Sequence, residues 1–144
     1  MRIRIKKRSE QAVMPTRGTD HAAGYDLYAC VPKCLVINPH QTVRVGTGIS
    51  CELPENTFGA IFARSGLATK EGLRPANCVG VVDSDYRGEI IVALHNDGDT
   101  DRVITPNERI AQMVLLPFIP MEFVETDKLP KSERGAGGFG STGK

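Results

Sequence analysis

No run of apolar residues in this chain comes near the roughly 20 that a membrane-spanning helix needs. The first ten residues, MRIRIKKRSE, carry charge but not the apolar stretch of a secretory leader, so neither a membrane nor export is expected. A charge excess of one sign is missing too. Lys and Arg number 18 against 17 Asp and Glu, whereas a non-specific nucleic-acid binder carries a clear basic surplus. Nucleic acid is therefore not the expected partner, although a small anion needs only a local cluster of cations. Lys6-Lys7-Arg8 has the look of a nuclear signal, but Arg2–Lys6 alternates as an exposed edge strand does. The four cysteines, Cys30, Cys34, Cys51 and Cys78, form no C-x-x-C pair, and nearby histidines complete no zinc pattern. They read as reduced, mostly buried thiols of a cytoplasmic protein, or a nuclear one in a eukaryote. Internal repeats are absent, and no linker precedes about residue 127. At 144 residues the chain is expected to form one domain.

What the chain has instead is punctuation. Nine prolines and 15 glycines cut it into short pieces. Between them lie runs rich in Val, Ile, Leu and Phe: Thr42–Val45, Gly59–Ala63, Glu89–His95, Arg109–Pro117 and Met121–Glu125. Several alternate in polarity, the period of a half-buried strand. Only Leu67–Gly72 invites a helical turn, too short to organise a fold. Frequent short strands with regular turn signals predict a β-sandwich, a jelly roll or a barrel.

After Pro130 the composition changes to KSERGAGGFGSTGK. Such a tail is disordered by default, yet it sets one aromatic, Phe139, among glycines and hydroxyls, with Arg134 upstream. Those are the parts of an arm that orders over a ligand. Gly138 to Lys144 also fits most of a phosphate-binding G-x-x-x-x-G-K loop. That loop needs a helix and a Ser or Thr after its Lys, and neither is expected here.

Four other stretches share this character. Ala22 to Leu27, AAGYDL, puts the carboxylate of Asp26 after a glycine. Ala63 to Leu67, ARSGL, offers a guanidinium, a hydroxyl and backbone N–H groups at a tight turn. Gly80 to Gly88, GVVDSDYRG, brackets two carboxylates and a tyrosine between glycines. Arg109 to Met113, RIAQM, sets Gln112 in an otherwise apolar strand. Each has a plainer structural reading as well. Asp26 can stabilise a turn, Arg64 can sit in a surface ion pair, Asp83 or Asp85 can shape a hairpin loop, and Gln112 can bond to a neighbouring strand.

Taken together and in this order, AAGYDL, ARSGLA, NCVGVVDSDYRGE, RIAQMVLLP and RGAGGFGSTG resemble the five motifs of the homotrimeric dUTP nucleotidohydrolases, from about Arg17 to Gly143. The departures are small: Cys78 and Val79 before the third motif's glycine, and Val82 where isoleucine is commoner. The resemblance implies an all-β, jelly-roll-like distorted barrel over residues 1–130 and a flexible glycine-rich arm over 131–144. It further implies hydrolysis of dUTP to dUMP and pyrophosphate by attack of water on the α-phosphorus, which limits uracil in DNA and supplies dUMP for dTMP synthesis.

In that reading Asp83 holds and deprotonates the water. An ordinary aspartate, with a pKa of about 4, is a weak base, so orientation is its main service. Asp85 is left to the turn. Arg64, Ser65, Gly66 and Gln112 grip the phosphates. Mg2+ is chelated mainly by the triphosphate and touched by Asp26 through water. Asn77 and the backbone near Val81, Val82 and Ile91 bond the uracil edge, in a segment from Asn77 to Ile91 read as a β-hairpin. Tyr86 packs on the deoxyribose and leaves no room for a 2′-hydroxyl. In the arm, Phe139 stacks on the base, Arg134 supplies charge, and Gly138, Gly140, Ser141 and Thr142 wrap the γ-phosphate. The sites are shared in a homotrimer, and Met113–Phe123 is apolar enough to cover a neighbour's sheet edge. The alternatives are a dCTP deaminase on the same scaffold, which wants a glutamate beside C4 of the base, and a nucleotide-binding or protein-interaction module without catalysis.

Overall fold

The computed structural model describes residues 1–139. Twelve strands and one short helix are found there: β1 Arg4–Lys7, β2 Thr16–Arg17, β3 Tyr25–Tyr28, β4 Leu35–Ile37, β5 Thr42–Gly46, β6 Ile49–Glu52, β7 Thr57–Phe62, α1 Ser65–Glu71, β8 Leu73–Pro75, β9 Gly80–Val82, β10 Ile91–Asn96, β11 Arg102–Ile104 and β12 Arg109–Pro117. All pair antiparallel, in a five-stranded sheet ordered β2-β3-β12-β7-β9, a three-stranded sheet β5-β10-β8, and the pairs β1-β6 and β11-β4. These small sheets wrap one core, in a jelly-roll-like distorted barrel.

Alternation builds the core. In β10, Val92, Leu94 and Asn96 point inward, while Ile91, Ala93 and His95 face out. Leu27, Ile37, Val45, Ile49, Leu73, Ile90, Ile104 and Ile110 join them with almost no exposure, each contributing about 1.5–3 kcal/mol by leaving water. In β12 the register slips between Arg109 and Ala111, so the consecutive residues Ile110 and Ala111 are both buried, as at a bulge. Asn96 is fully buried and fully bonded: its Nδ2 donates to Ile37 O (3.0 Å) and Thr100 O (2.8 Å), and its Oδ1 accepts from Gly98 N–H (3.0 Å).

Three expectations need correction. Residues 121–125 are not a strand. Among the described residues they find no partner, and a β backbone needs a ladder to satisfy its polar groups. The segment from Asn77 to Ile91 is not a hairpin. β9 pairs with β7, and β10 pairs with β5 and β8, so the stretch between them crosses from one sheet to another. The cysteines are not mostly buried either. Only Cys51 is buried, and burial pushes its thiol up; Cys30 is half-buried, whereas Cys34 and Cys78 are exposed, Cys78 at a left-handed corner with φ of 61°.

Candidate active site

β12 brings three of the sequence segments to one sheet. Its Gln112 lies opposite Asp26 of β3 and opposite Phe62 of β7, the strand that leads into Arg64. Gln112 donates from Nε2 to Ala63 O at 2.9 Å. Arg64, at the start of α1, donates from Nε to Asp26 Oδ1 at 2.9 Å, and Arg109 donates from Nη1 to Asp26 Oδ2 at 3.2 Å. The Asp26 side chain is only 13% exposed, whereas Arg64 and Arg109 are 27% and 50% exposed. One carboxylate therefore lies beneath two guanidinium groups that still reach solvent. The surplus positive charge suits an oligophosphate, because guanidinium–phosphate hydrogen bonds are charge-assisted. Ser65 and Gly66 open α1 beside Arg64, both exposed.

A second cluster forms where β9 leaves the sheet. Val82 is buried and Val81, the next residue round, is 62% exposed. Asp83 to Tyr86 then makes a tight turn closed by Tyr86 N–H donating to Asp83 O at 3.2 Å. Arg87 braces it, donating from Nη1 to Ser84 O at 2.6 Å and to Tyr86 O at 3.2 Å. Tyr86 Oη donates to Glu89 O at 2.9 Å. The result is a cavity of about 180 Å³ lined by Val81, Val82, Asp83, Tyr86, Glu89, Ile90 and Ile91. Five of the residues expected at the site meet in it. Asn77 is exposed in the loop before β9, where its O accepts Val79 N–H at 2.6 Å.

The two clusters sit at opposite ends of β7. Gly59 lies opposite Val82 and Ile61 opposite Gly80, and Asp83 shares a depression with Phe58 and Phe118. From Phe58 to Phe62 is four residues, roughly 13 Å of strand at about 3.3 Å per residue, and Arg64 lies two residues beyond that end. A single chain thus keeps its cavity and its arginine cluster apart.

A family model described as dUTPase matches residues 10–143. The chain belongs to the dUTPase family. It is 49% identical over 144 residues to the deoxyuridine 5'-triphosphate nucleotidohydrolase of Desulfitobacterium hafniense, covering 99% of this chain and 95% of that protein. It is 47% identical over 143 residues to the protein of the same name from Hydrogenobaculum sp., covering 99% of each. Among solved structures, the dUTPase of Staphylococcus bacteriophage 80alpha with dUPNHPP superposes with a TM-score of 0.90 at 27% identity, covering 99% of each chain. A dUTPase from phage phi11 of S. aureus, described with a structural Mg(II) ion, reaches a TM-score of 0.81 at 20% identity, covering 91% and 100%; that likeness speaks for the fold alone. The reaction of the dUTPase family is hydrolysis of dUTP to dUMP and pyrophosphate.

Of the arm expected of a dUTPase, Arg134, Gly138 and Phe139 are described and exposed, and Gly140, Ser141 and Thr142 lie outside the described residues. Arg134 donates from Nε to Gly137 O at 3.0 Å, and neither it nor Phe139 is hydrogen-bonded to the barrel. Two of the plainer readings of single residues hold. Arg64 does sit in an ion pair, and Gln112 does bond to the end of a neighbouring strand. Sequence reasoning missed Arg109 and Glu89 as site neighbours, although Arg109 opens the segment RIAQM and Glu89 directly follows the glycine-bounded turn. Among the described residues, no helix is long and apolar enough to cross a membrane.

Proposed function

We propose that this chain carries out its family's reaction with the cavity of one subunit facing the arginine cluster of another, in a homotrimer with shared sites. The observation that carries the reading is the cavity itself, which joins the carboxylate of Asp83 to the apolar walls of Val81 and Ile91 and the ring of Tyr86. The separation of the clusters along β7 supports the sharing. So do the exposed apolar residues Ile119, Met121, Phe123, Val124 and Leu129, which nothing among the described residues covers.

Uracil lies against Val81, Val82 and Ile91, with Asn77 and backbone groups on its pairing edge, in a pocket too tight for thymine's methyl. Cytosine presents a donor where uracil presents an acceptor, which leaves buried groups unpaired. Asp83 orients the water for attack on the α-phosphorus and takes up its proton as charge develops. Arg64, Ser65, Gly66 and Gln112 hold the phosphates, and the bond to the leaving pyrophosphate breaks as the water's oxygen adds to phosphorus. The arm from residue 131 onward, with Arg134, Gly138 and Phe139 and, beyond the described residues, Gly140, Ser141 and Thr142, closes over the substrate and excludes water. Four unpaired thiols fit a reducing cytoplasm.

Among the described residues, no group of three or more His, Cys, Asp or Glu could hold a metal. Asp26 offers a single, partly shielded carboxylate, already shared by two arginines. That donor set fits a Mg2+ chelated by the triphosphate and reached from Asp26 through water, not one caged by the protein. Such an ion neutralises phosphate charge and favours one triphosphate conformation.

The deciding measurement is pyrophosphate release from dUTP, dTTP, dCTP and UTP side by side, with sedimentation to count subunits. Strong preference for dUTP from a trimer is expected. Ammonia release from dCTP would instead indicate a deaminase. Glu89 does line the cavity, but its carboxylate is committed to Gly48 N–H. Binding without turnover would indicate a regulatory module.

A further inference from the structure

Tyr86 is held from one side by a chain of contacts that leads away from the substrate. Its ring lies flush over Gly88, where a Cβ would collide with Cζ and Oη, and its Oη donates to Glu89 O at 2.9 Å. Glu89 is itself seated. Its Oε1 accepts the N–H of Gly48 at 2.7 Å and lies 2.5 Å from where a Cβ on Gly46 would stand. The carboxylate thus fills a notch that exists because Gly46 has no side chain. The neighbours on either side are pinned to the same turn. Ser50 Oγ donates to Gly88 O at 2.7 Å, Ile90 N–H donates to Ile49 O at 2.9 Å, and Thr47 Oγ1 donates to Ile90 O at 2.7 Å. Of residues 88–90, Glu89 alone sends a polar side chain into this contact.

We propose that Glu89 is a positioning residue for sugar selection: its carboxylate, docked at the Gly46–Gly48 turn, fixes the carbonyl that anchors Tyr86 and so keeps the ring where it excludes a 2′-hydroxyl. This rests on the reading of Tyr86 as the residue packed on deoxyribose. A carboxylate accepting a backbone N–H is a charge-assisted hydrogen bond. Without it the Gly48 N–H loses its partner, the notch stands open, and the ring samples positions that admit ribose. The role is indirect, because the Glu89 carboxylate is directed at the protein.

The test is kcat/KM for dUTP and for UTP, measured on the full chain for wild type, Glu89→Ala, Glu89→Gln and Tyr86→Ala, with thermal melting in parallel. Glu89→Ala is expected to lower the dUTP/UTP ratio by about tenfold, the scale of one lost hydrogen bond to a charged group. Glu89→Gln keeps an acceptor oxygen for Gly48 N–H and is expected to restore the ratio to within about threefold of wild type. A purely structural role would lower melting temperature and leave the ratio alone. A ratio unchanged in Glu89→Ala but collapsed in Tyr86→Ala overturns the role of Glu89 and leaves that of Tyr86 standing. A ratio unchanged in Tyr86→Ala overturns both. Should Glu89→Ala fail to fold, Glu89→Asp, too short to reach Gly48 from the same backbone, makes the same comparison.

Discussion

Arg64 and Asp26 are joined at 2.9 Å, the carboxylate largely buried and the guanidinium still reaching solvent, with Arg109 closing on the other carboxylate oxygen. The arginine read as a phosphate grip and the aspartate read as a metal neighbour are thus one unit before any substrate arrives. Asp26→Asn keeps an acceptor but removes the charge that both guanidinium groups face. Hydrogen bonds to charged groups contribute about 1.5–3 kcal/mol each, so a stability loss of roughly 2 kcal/mol is expected in urea unfolding, together with a higher KM for dUTP. Unchanged values of both would mean that the pair is an incidental surface contact.

Asp83 differs from Asp26 in what its side chain is free to do. Its backbone O closes the turn to Tyr86, and no side-chain hydrogen bond to its carboxylate is found among the described residues. Asp83→Asn should therefore leave the turn intact and retain binding of a non-hydrolysable dUTP analogue. Pyrophosphate release should fall by at least about 10²-fold, the lower range for loss of a general base. Turnover at the wild-type rate would remove Asp83 from the mechanism.

How much of this was legible in the sequence depended on whether the deciding contact was local. Arg109–Pro117 reads as a strand and is one, because its apolar run is long and bounded by turns. Thr42–Val45 and Gly59–Ala63 fall within about two residues of β5 and β7, and Leu67–Gly72 overlaps α1, whose C-cap is Gly72. β2, β4, β9 and β11 are two or three residues long, and strands so short carry no readable period. Residues 121–125 have a strand's composition without a strand's partner, and composition does not say which chain supplies the ladder. At the site, AAGYDL and ARSGLA each announce a charged residue, but their meeting is fixed by Gln112 lying between Asp26 and Phe62, a pairing only the fold reveals. Glu89 was passed over because its role comes from Gly48, about 40 residues upstream in the chain.

Acid should weaken the fold where the end of β10 meets β8. Asp97 is held below the ordinary carboxylate range, first by hydrogen bonds from Arg74, against the opposing effect of burial, with the charge of Arg74 and then His95 and His40 adding to it. Arg74 donates to it from Nε at 2.5 Å and Nη2 at 2.9 Å. A carboxyl group whose pKa is lower in the folded state stabilises the fold above its unfolded value, and that contribution is lost as pH falls through the folded value. Melting temperature should therefore decline as pH drops below about 4, near the unfolded aspartate pKa. In Arg74→Met the decline should be shallower. Equal slopes for the two proteins would show that this pair does not set acid stability.

The chain beyond β12 separates into two parts with different expected duties, and two truncations distinguish them. After Phe118 N–H donates to Asn56 O at 3.0 Å, every described hydrogen bond of residues 119–139 is local to that segment. Phe123 and Leu129 are 87% and 83% exposed. Burying each such side chain against a neighbouring subunit is worth about 1.5–3 kcal/mol. Removal of residues 135–144 takes away Phe139 and the glycines but none of that apolar segment, so melting temperature and subunit count should stay unchanged while dUTP turnover is lost. Removal of residues 119–144 also takes the apolar segment, and sedimentation should then report species smaller than a trimer. If the longer truncation still sediments as a trimer, the subunits are held together elsewhere on the barrel, and the exposed residues 119–129 need another occupant.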